Sequence, residues 1–158
     1  MKNSKNKFID IIASGLYTGY FPIASGTVAS VLAMGIYYLI SPLNNLSVFL
    51  LGYILTLSGG TLIGIITATE AEKMYGEKDS HKIVIDEIVG YMFAMFLVPT
   101  TLVNMIAVFF IFRIFDVIKP GPIRKMEKLE GGMGVMLDDI LSGICTCIVM
   151  HIALFIIK

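Results

Sequence analysis

The chain has 158 residues, 56% of them hydrophobic and only 15% charged, with twelve basic and twelve acidic residues and no formal net charge. One domain spanning residues 1–158 fits that length. The composition argues for a membrane environment, and the charge balance argues against a nucleic-acid partner or a polybasic docking surface.

The elements follow from where charge is missing. The opening MKNSKNKFIDIIASG reads as an amphipathic segment; it breaks into glycine and polar residues too early for a cleavable leader, so insertion is expected to use the chain's own helices. After Asp10 no Asp, Glu, Lys or Arg occurs until Glu70. Within that gap Val28 to Ile40 and Val48 to Thr69 read as two membrane helices joined by the uncharged turn SPLNNLS. A charged loop, EAEKMYGEKDSHK, follows from Glu70 to Lys82 with a turn at Gly76. A third apolar segment runs from Ile83 to Val98, where Pro99 and two threonines break it, and a fourth from Leu102 towards Val117 is stopped by Pro120. The basic loop KPGPIRKMEKLEGGMG leads to a fifth, from about Leu137 to Ile157, with Asp138 and Asp139 in or just before its first turn. The fold class expected is therefore all-α: a polytopic membrane bundle of about five apolar helices after an amphipathic start. A compact, partly soluble helical bundle is the alternative, because a crossing needs about 20 apolar residues and several of these runs are shorter.

If the five segments alternate across the bilayer, the lysine-bearing N-terminus, the Glu70–Lys82 loop and the Lys119–Gly134 loop fall on one side, which the positive-inside rule makes cytoplasmic. Asp86 and Glu87, Arg113 and Asp116, and Asp138 and Asp139 then converge at one depth. Carboxylates at a membrane helix persist by pairing, by binding a cation or by lining a wet cavity. One arginine is too little for all of them, so a hard divalent cation is expected, and oxygen donors without a His or Cys cluster favour magnesium over zinc. Arg113, Lys119 and Arg124 could hold a phosphate. Ser25, Gly26 and Thr27, placed just before a helix, could offer backbone N–H groups to an anion, and EGGMG could do the same before Asp138.

Plainer readings stand beside these. Ser25 or Thr27 could be a helix cap, Asp138 and Asp139 could answer a helix dipole, and Arg113 with Asp116 could be an ordinary i,i+3 ion pair. His81 and His151 read as bystanders. Cys145 and Cys147, two apart on a helix, point to different faces and read as packing residues rather than a disulfide.

Four segments together resemble the phosphatidylglycerophosphatase A family of bacterial membrane enzymes, nearly end to end and in the family's order: FPIASGT, IVIDEIVG, FRIFDVIKPGPIR and EGGMGVMLDDILSG. Ser25 stands where the family commonly has proline, and Gly121 where it commonly has tryptophan. The resemblance implies magnesium-dependent hydrolysis of phosphatidylglycerophosphate to phosphatidylglycerol and phosphate at the cytoplasmic face of the bacterial inner membrane. It implies Asp86, Glu87, Asp116, Asp138 and Asp139 as metal ligands, or one of them as the base that activates water, and Arg113, Lys119 and Arg124 as phosphate contacts. The sequence leaves open a hydrolase for a related lipid phosphate. A small ion or proton transporter would carry its carboxylates nearer the bilayer midplane. A structural membrane subunit would leave the acidic pairs beside KPGPIR without a reason. A CDP-alcohol type phosphotransferase would need a DGxxAR signature that the chain lacks.

Overall fold

The structure is a computed structural model that describes residues 2–41 and 46–157. Its described residues form helices and turns with no strand: α1 (Lys2–Ala13), a 3-10 turn (Thr18–Tyr20), α2 (Ser25–Ile40), α3 (Leu46–Tyr75), α4 (Ile85–Ala94), α5 (Leu102–Ile118), α6 (Pro122–Met126) and α7 (Gly132–Ile157). The expected all-α class holds. Most of the uncharged SPLNNLS turn lies outside the described residues.

Two helices, α3 over Leu50–Tyr75 and α7, are long and apolar enough to cross a membrane. Large apolar side chains stand uncovered along both, among them Leu51, Leu55, Leu62 and Ile66 on α3 and Ile148, Ile152 and Phe155 on α7. A soluble protein rarely exposes apolar surface on this scale. The expectation of a polytopic bundle of about five apolar helices is met only in part, and the third segment departs from it most. α4 has only 10 residues, which gives a rod of about 15 Å against a hydrocarbon core of about 30 Å. It stops because Leu97 takes a left-handed backbone (φ 57) and Pro99 follows, which disfavours helix at Val98. α2, with 16 residues, and α5, with 17, are shorter than the about 20 residues of a typical crossing.

A helix that ends within an apolar layer leaves carbonyls in need of donors. Other elements supply them. The Tyr37 hydroxyl of α2 donates to Met95 O and Val98 O, each at 3.3 Å, and the Tyr53 hydroxyl of α3 donates to Met92 O. In the other direction Tyr91, on α4 itself, donates to Met105 O of α5 at 3.0 Å. These tyrosines sit in the main core with Met92, Met95, Val108 and Phe112, so burying their rings and satisfying the α4 end are one packing event.

The most extensive helix contact is α4 on α7, with α2, α3 and α5 packed around that pair. Glycines bring the α4 and α7 backbones together: a Cβ on Gly143 would lie 2.2 Å from Gly90 O. Close approach through small residues is how helices pack where lipid removes any hydrophobic drive to associate. That contact sets the spacing between the first turn of α4 and the second turn of α7, where the acids lie.

Candidate active site

The N-terminal ends of α2, α4 and α7, the C-terminal end of α5 and the 79–83 segment enclose a polar cavity of about 470 Å³. Each element arrives with its charged turn. Asp86 and Glu87 occupy the first turn of α4, where the positive end of the helix dipole favours carboxylates. Arg113 and Asp116 share one face of the last turns of α5, and Lys119 follows at its left-handed C-terminus (φ 46). α7 begins at Gly132, five residues earlier than Leu137, so Asp138 and Asp139 lie in its second turn. Answering an open helix end is therefore not what holds them there.

Asp86, Glu87 and Asp139 each offer an oxygen such that the three lie within 4.8 Å of one another. Asp86 and Asp139 are buried, and Asp86 Oδ1, Glu87 Oε2 and Asp139 Oδ2 have no hydrogen-bond partner. Three carboxylates held this close, each with a buried oxygen that no donor reaches, repel each other and forfeit hydration. A single hard cation between them removes both penalties, and the all-oxygen donor set suits magnesium or calcium rather than a thiophilic metal. The cluster can hold a metal ion.

The other two expected acids have basic partners. Asp138 Oδ2 receives a hydrogen bond from Lys119 Nζ at 2.6 Å, while its Oδ1 stays buried and unpartnered. Asp116 Oδ2 lies 2.6 Å from Arg113 Nη1. Lys119 also donates to Glu127 Oε1 at 3.2 Å. Burial opposes its charge, but the hydrogen bonds and charges of Asp138 and Glu127 outweigh that and raise the ammonium above the ordinary lysine range. Lys119 is a charged strut between α5, α6 and α7.

Of the expected phosphate contacts, Arg113, Lys119, Ser25 and Gly26 line the cavity; Arg124 and Thr27 do not. Arg124 is exposed and reaches Ile118 O at 3.4 Å, because α6 turns its side chain outward. Ser25, Gly26 and Thr27 form the first turn of α2 rather than a loop before it, with Ala24 in the left-handed cap position. Neither Ser25 nor Thr27 caps the helix through its side chain. The Ser25 hydroxyl donates to His81 O at 2.8 Å, tying α2 to the 79–83 segment. EGGMG is not an open anion site either, since Gly132 and Gly134 are helical and Gly132 N donates to Thr69 Oγ1 at 2.8 Å.

Gly26 has a sharper role. A Cβ there would lie 2.0 Å from Glu87 Oε1 and 3.0 Å from Arg113 Nη1, so only glycine lets α2 touch the acid and the arginine together. Gly26→Ala is expected to displace the mobile end of Glu87 rather than unfold the chain. Activity should fall roughly 10- to 100-fold, the scale of a misplacement of about 1 Å. Turnover measured beside a thermal melt checks this; unchanged turnover would remove Glu87 from the site.

Asp79, Ser80 and His81 are wall residues that sequence reasoning missed. Ser80 is buried with its hydroxyl unpartnered. Asp79 stands at the mouth; partial enclosure raises its carboxyl above the ordinary range, Lys119 opposes that rise, and Glu127 and Glu72 add to it. The available signal was their position five to seven residues before Asp86, on the same charged side of the third segment.

The sequence model of the phosphatidylglycerophosphatase A family matches residues 11–154. A Bacteroides thetaiotaomicron protein, named provisionally as a phosphatidylinositol-3-phosphatase, is 35% identical over 93% of this chain and 94% of its own. Proteins named phosphatidylglycerophosphatase A from Escherichia coli and Haemophilus influenzae are 34% and 33% identical. They are matched over 89% and 90% of this chain and 80% and 86% of their own lengths. No solved structure matches the chain.

Proposed function

Because this chain belongs to the phosphatidylglycerophosphatase A family, we propose that it removes the terminal phosphate of phosphatidylglycerophosphate, releasing phosphatidylglycerol and inorganic phosphate. The observation that carries the reading is the cavity where orphaned carboxylate oxygens from α4 and α7 face Arg113 and the first turn of α2. A phosphomonoester needs cationic and N–H partners for its oxygens and a base for the attacking water.

Asp86, Glu87 and Asp139 would hold magnesium, with Asp138 and Asp116 beside them. Such an ion would supply Lewis-acid stabilisation and would offset the negative charge gathered in the cavity. Arg113 offers a planar pair of donors to the phosphoryl oxygens, and the unpaired N–H groups at the start of α2 add dipolar stabilisation. One carboxylate of the set takes the proton of the attacking water as the new oxygen–phosphorus bond forms. The bond from phosphorus to the glycerol oxygen breaks, and that oxygen leaves with a proton from solvent. Lys119 orients Asp138 through its hydrogen bond to Oδ2.

The charged helix ends share one end of the bundle with the Lys5 and Lys7 segment of α1, and this supports a multi-pass protein of the cytoplasmic membrane with its site facing the cytoplasm. A substrate whose tails stay in the bilayer and whose phosphate sits at the interface suits that placement. A second lipid is favoured by the Bacteroides relative's name: a phosphatidylinositol bearing a 3-phosphate. Both lipids carry a phosphomonoester beyond the phosphodiester that joins the head group to the glycerolipid.

The test is phosphate release by the purified protein in detergent from phosphatidylglycerophosphate, phosphatidylinositol 3-phosphate and phosphatidic acid, with and without magnesium. Magnesium-dependent release, fastest from phosphatidylglycerophosphate, is expected. Faster release from the inositol lipid would transfer the assignment to it, and release from none by folded protein would end the phosphatase reading.

A further inference from the structure

The chain between α1 and α2 carries an exposed apolar surface that the chemistry above does not use. Leu16 is 66% exposed and Ile23 79%, with Tyr17 and Phe21 exposed between them. The backbone is unusual on both sides of the segment. Gly15, Leu16 and Tyr17 are three successive left-handed residues, and Ala24 is a fourth further on. The small residues of the turn are pressed inward: a Cβ on Gly15 would lie 2.7 Å from Ile88 Cδ1, and one on Gly19 would lie 2.1 Å from Lys82 O.

The segment is firmly tied. Leu16 N donates to Ile11 O at 2.9 Å, Gly19 N to Ser14 O at 3.0 Å, and the Thr18 hydroxyl to Gly15 O at 2.8 Å. The Tyr20 hydroxyl donates to Asp10 at 2.7 Å, and Lys82 Nζ lies 5.6 Å from the centre of its ring. Large apolar residues on so constrained a turn are a fixed display, not a frayed loop.

Three features of its surroundings point to one partner. Phe21, Pro22 and Ala24 line the catalytic cavity, so the apolar surface is continuous with the rim of the site. The helix that follows, α2, carries further exposed apolar side chains at Val31, Tyr38 and Leu39. The helix that precedes it, α1, carries exposed Lys5, Lys7 and Phe8. Aromatic and aliphatic residues bordered by lysines, next to membrane-capable helices, match the composition of the bilayer interface.

We propose that residues 16–23 insert into the head-group layer of the bilayer and form a lip over which the lipid head group passes into the cavity. The proposal rests on the lipid-phosphatase reading only for the nature of the cargo. The bilayer contact stands on the exposed surface itself.

The chain contains no tryptophan, so Ile23→Trp introduces a single fluorescent reporter, with Lys128→Trp as the solvent-facing reference. In phosphatidylcholine/phosphatidylglycerol vesicles containing brominated lipid, at least twofold quenching at position 23 and none at 128 is expected. No quenching at 23 overturns the proposal. So does an emission blue-shifted but unquenched, which would mean that a second protein surface covers the lip.

The functional arm uses Leu16→Ser combined with Ile23→Ser. Expected is at least a tenfold lower kcat/KM on long-chain substrate in vesicles, with unchanged kcat/KM on a dihexanoyl substrate dissolved as monomers. Equal loss on both substrates, or on neither, overturns the lip. If wild-type protein hydrolyses neither substrate, the phosphatase reading has failed, and the quenching result still decides the bilayer contact.

Discussion

Asp139→Asn and, separately, Asp86→Asn are expected to leave less than about a thousandth of wild-type phosphatase activity in a protein that still folds. The two side chains have the same shape before and after substitution, so packing is preserved and only charge is lost. In the absence of metal, that loss is a relief. Asp86, Glu87 and Asp139 crowd within 4.8 Å with buried, unpartnered oxygens, and removing one charge lessens both repulsion and desolvation. The metal-free melting temperature should stay level or rise. Magnesium should then separate the proteins. At a hundred times its dissociation constant it stabilises a native site by about 2.7 kcal/mol, and each variant should lose most of that gain. Thermal melts in detergent, with chelator and with magnesium, run beside the phosphate assay, check both halves. Full activity in both variants would remove the trio from the chemistry. Lost activity with an unchanged magnesium response would make these acids catalytic without being ligands.

The second large effect comes from a residue with no chemistry. Gly143→Ala is expected to cost about 2–3 kcal/mol of stability and at least tenfold in activity. The added Cβ would meet Gly90 O at 2.2 Å and Phe93 Cβ at 3.0 Å, and a backbone carbonyl in a packed helix cannot swing aside. α4 and α7 must separate, which moves Asp86 and Glu87 away from Asp139. Gly35→Ala is the matched control: Gly35 lies inside α2 with nothing within 4 Å of its missing Cβ. The same substitution there should be neutral, or stabilise by roughly 0.5–1 kcal/mol through helix propensity. Denaturation of the two variants in one detergent makes the comparison. Equal stability would show that the α4–α7 spacing is not what holds the site together.

Much of the site was legible because its acids interrupt apolar runs. An aspartate and a glutamate inside IVIDEIVG, or two aspartates inside VMLDDIL, have few explanations in a helix of this hydropathy, and both pairs line the cavity. Arg113 was legible from its helical spacing to Asp116. Arg124 lies outside the cavity, because proximity to KPGP in sequence says nothing about the direction in which α6 turns its side chain. Lys119 was found, but its engagement with Asp138, nineteen residues away, and with Glu127 depends on how α5, α6 and α7 close on one another. Asp79, Ser80 and His81 were missed because a polar loop looks alike whether it faces solvent or a cavity.

The fold divides in the same way. By itself the sequence determined the all-helical class, the apolar character and the gathering of charge at particular segment ends, because composition and helical period are local properties. It also carried the four motifs by which the family is recognised. Only the tertiary structure decided that the third segment ends after ten residues, which acids form a trio and which are held by bases. The physical reason is that these outcomes depend on distant partners. The α4 carbonyls can end where they do because Tyr37 and Tyr53 arrive from α2 and α3 with their hydroxyls, and the acids meet because Gly90 and Gly143 let two backbones touch.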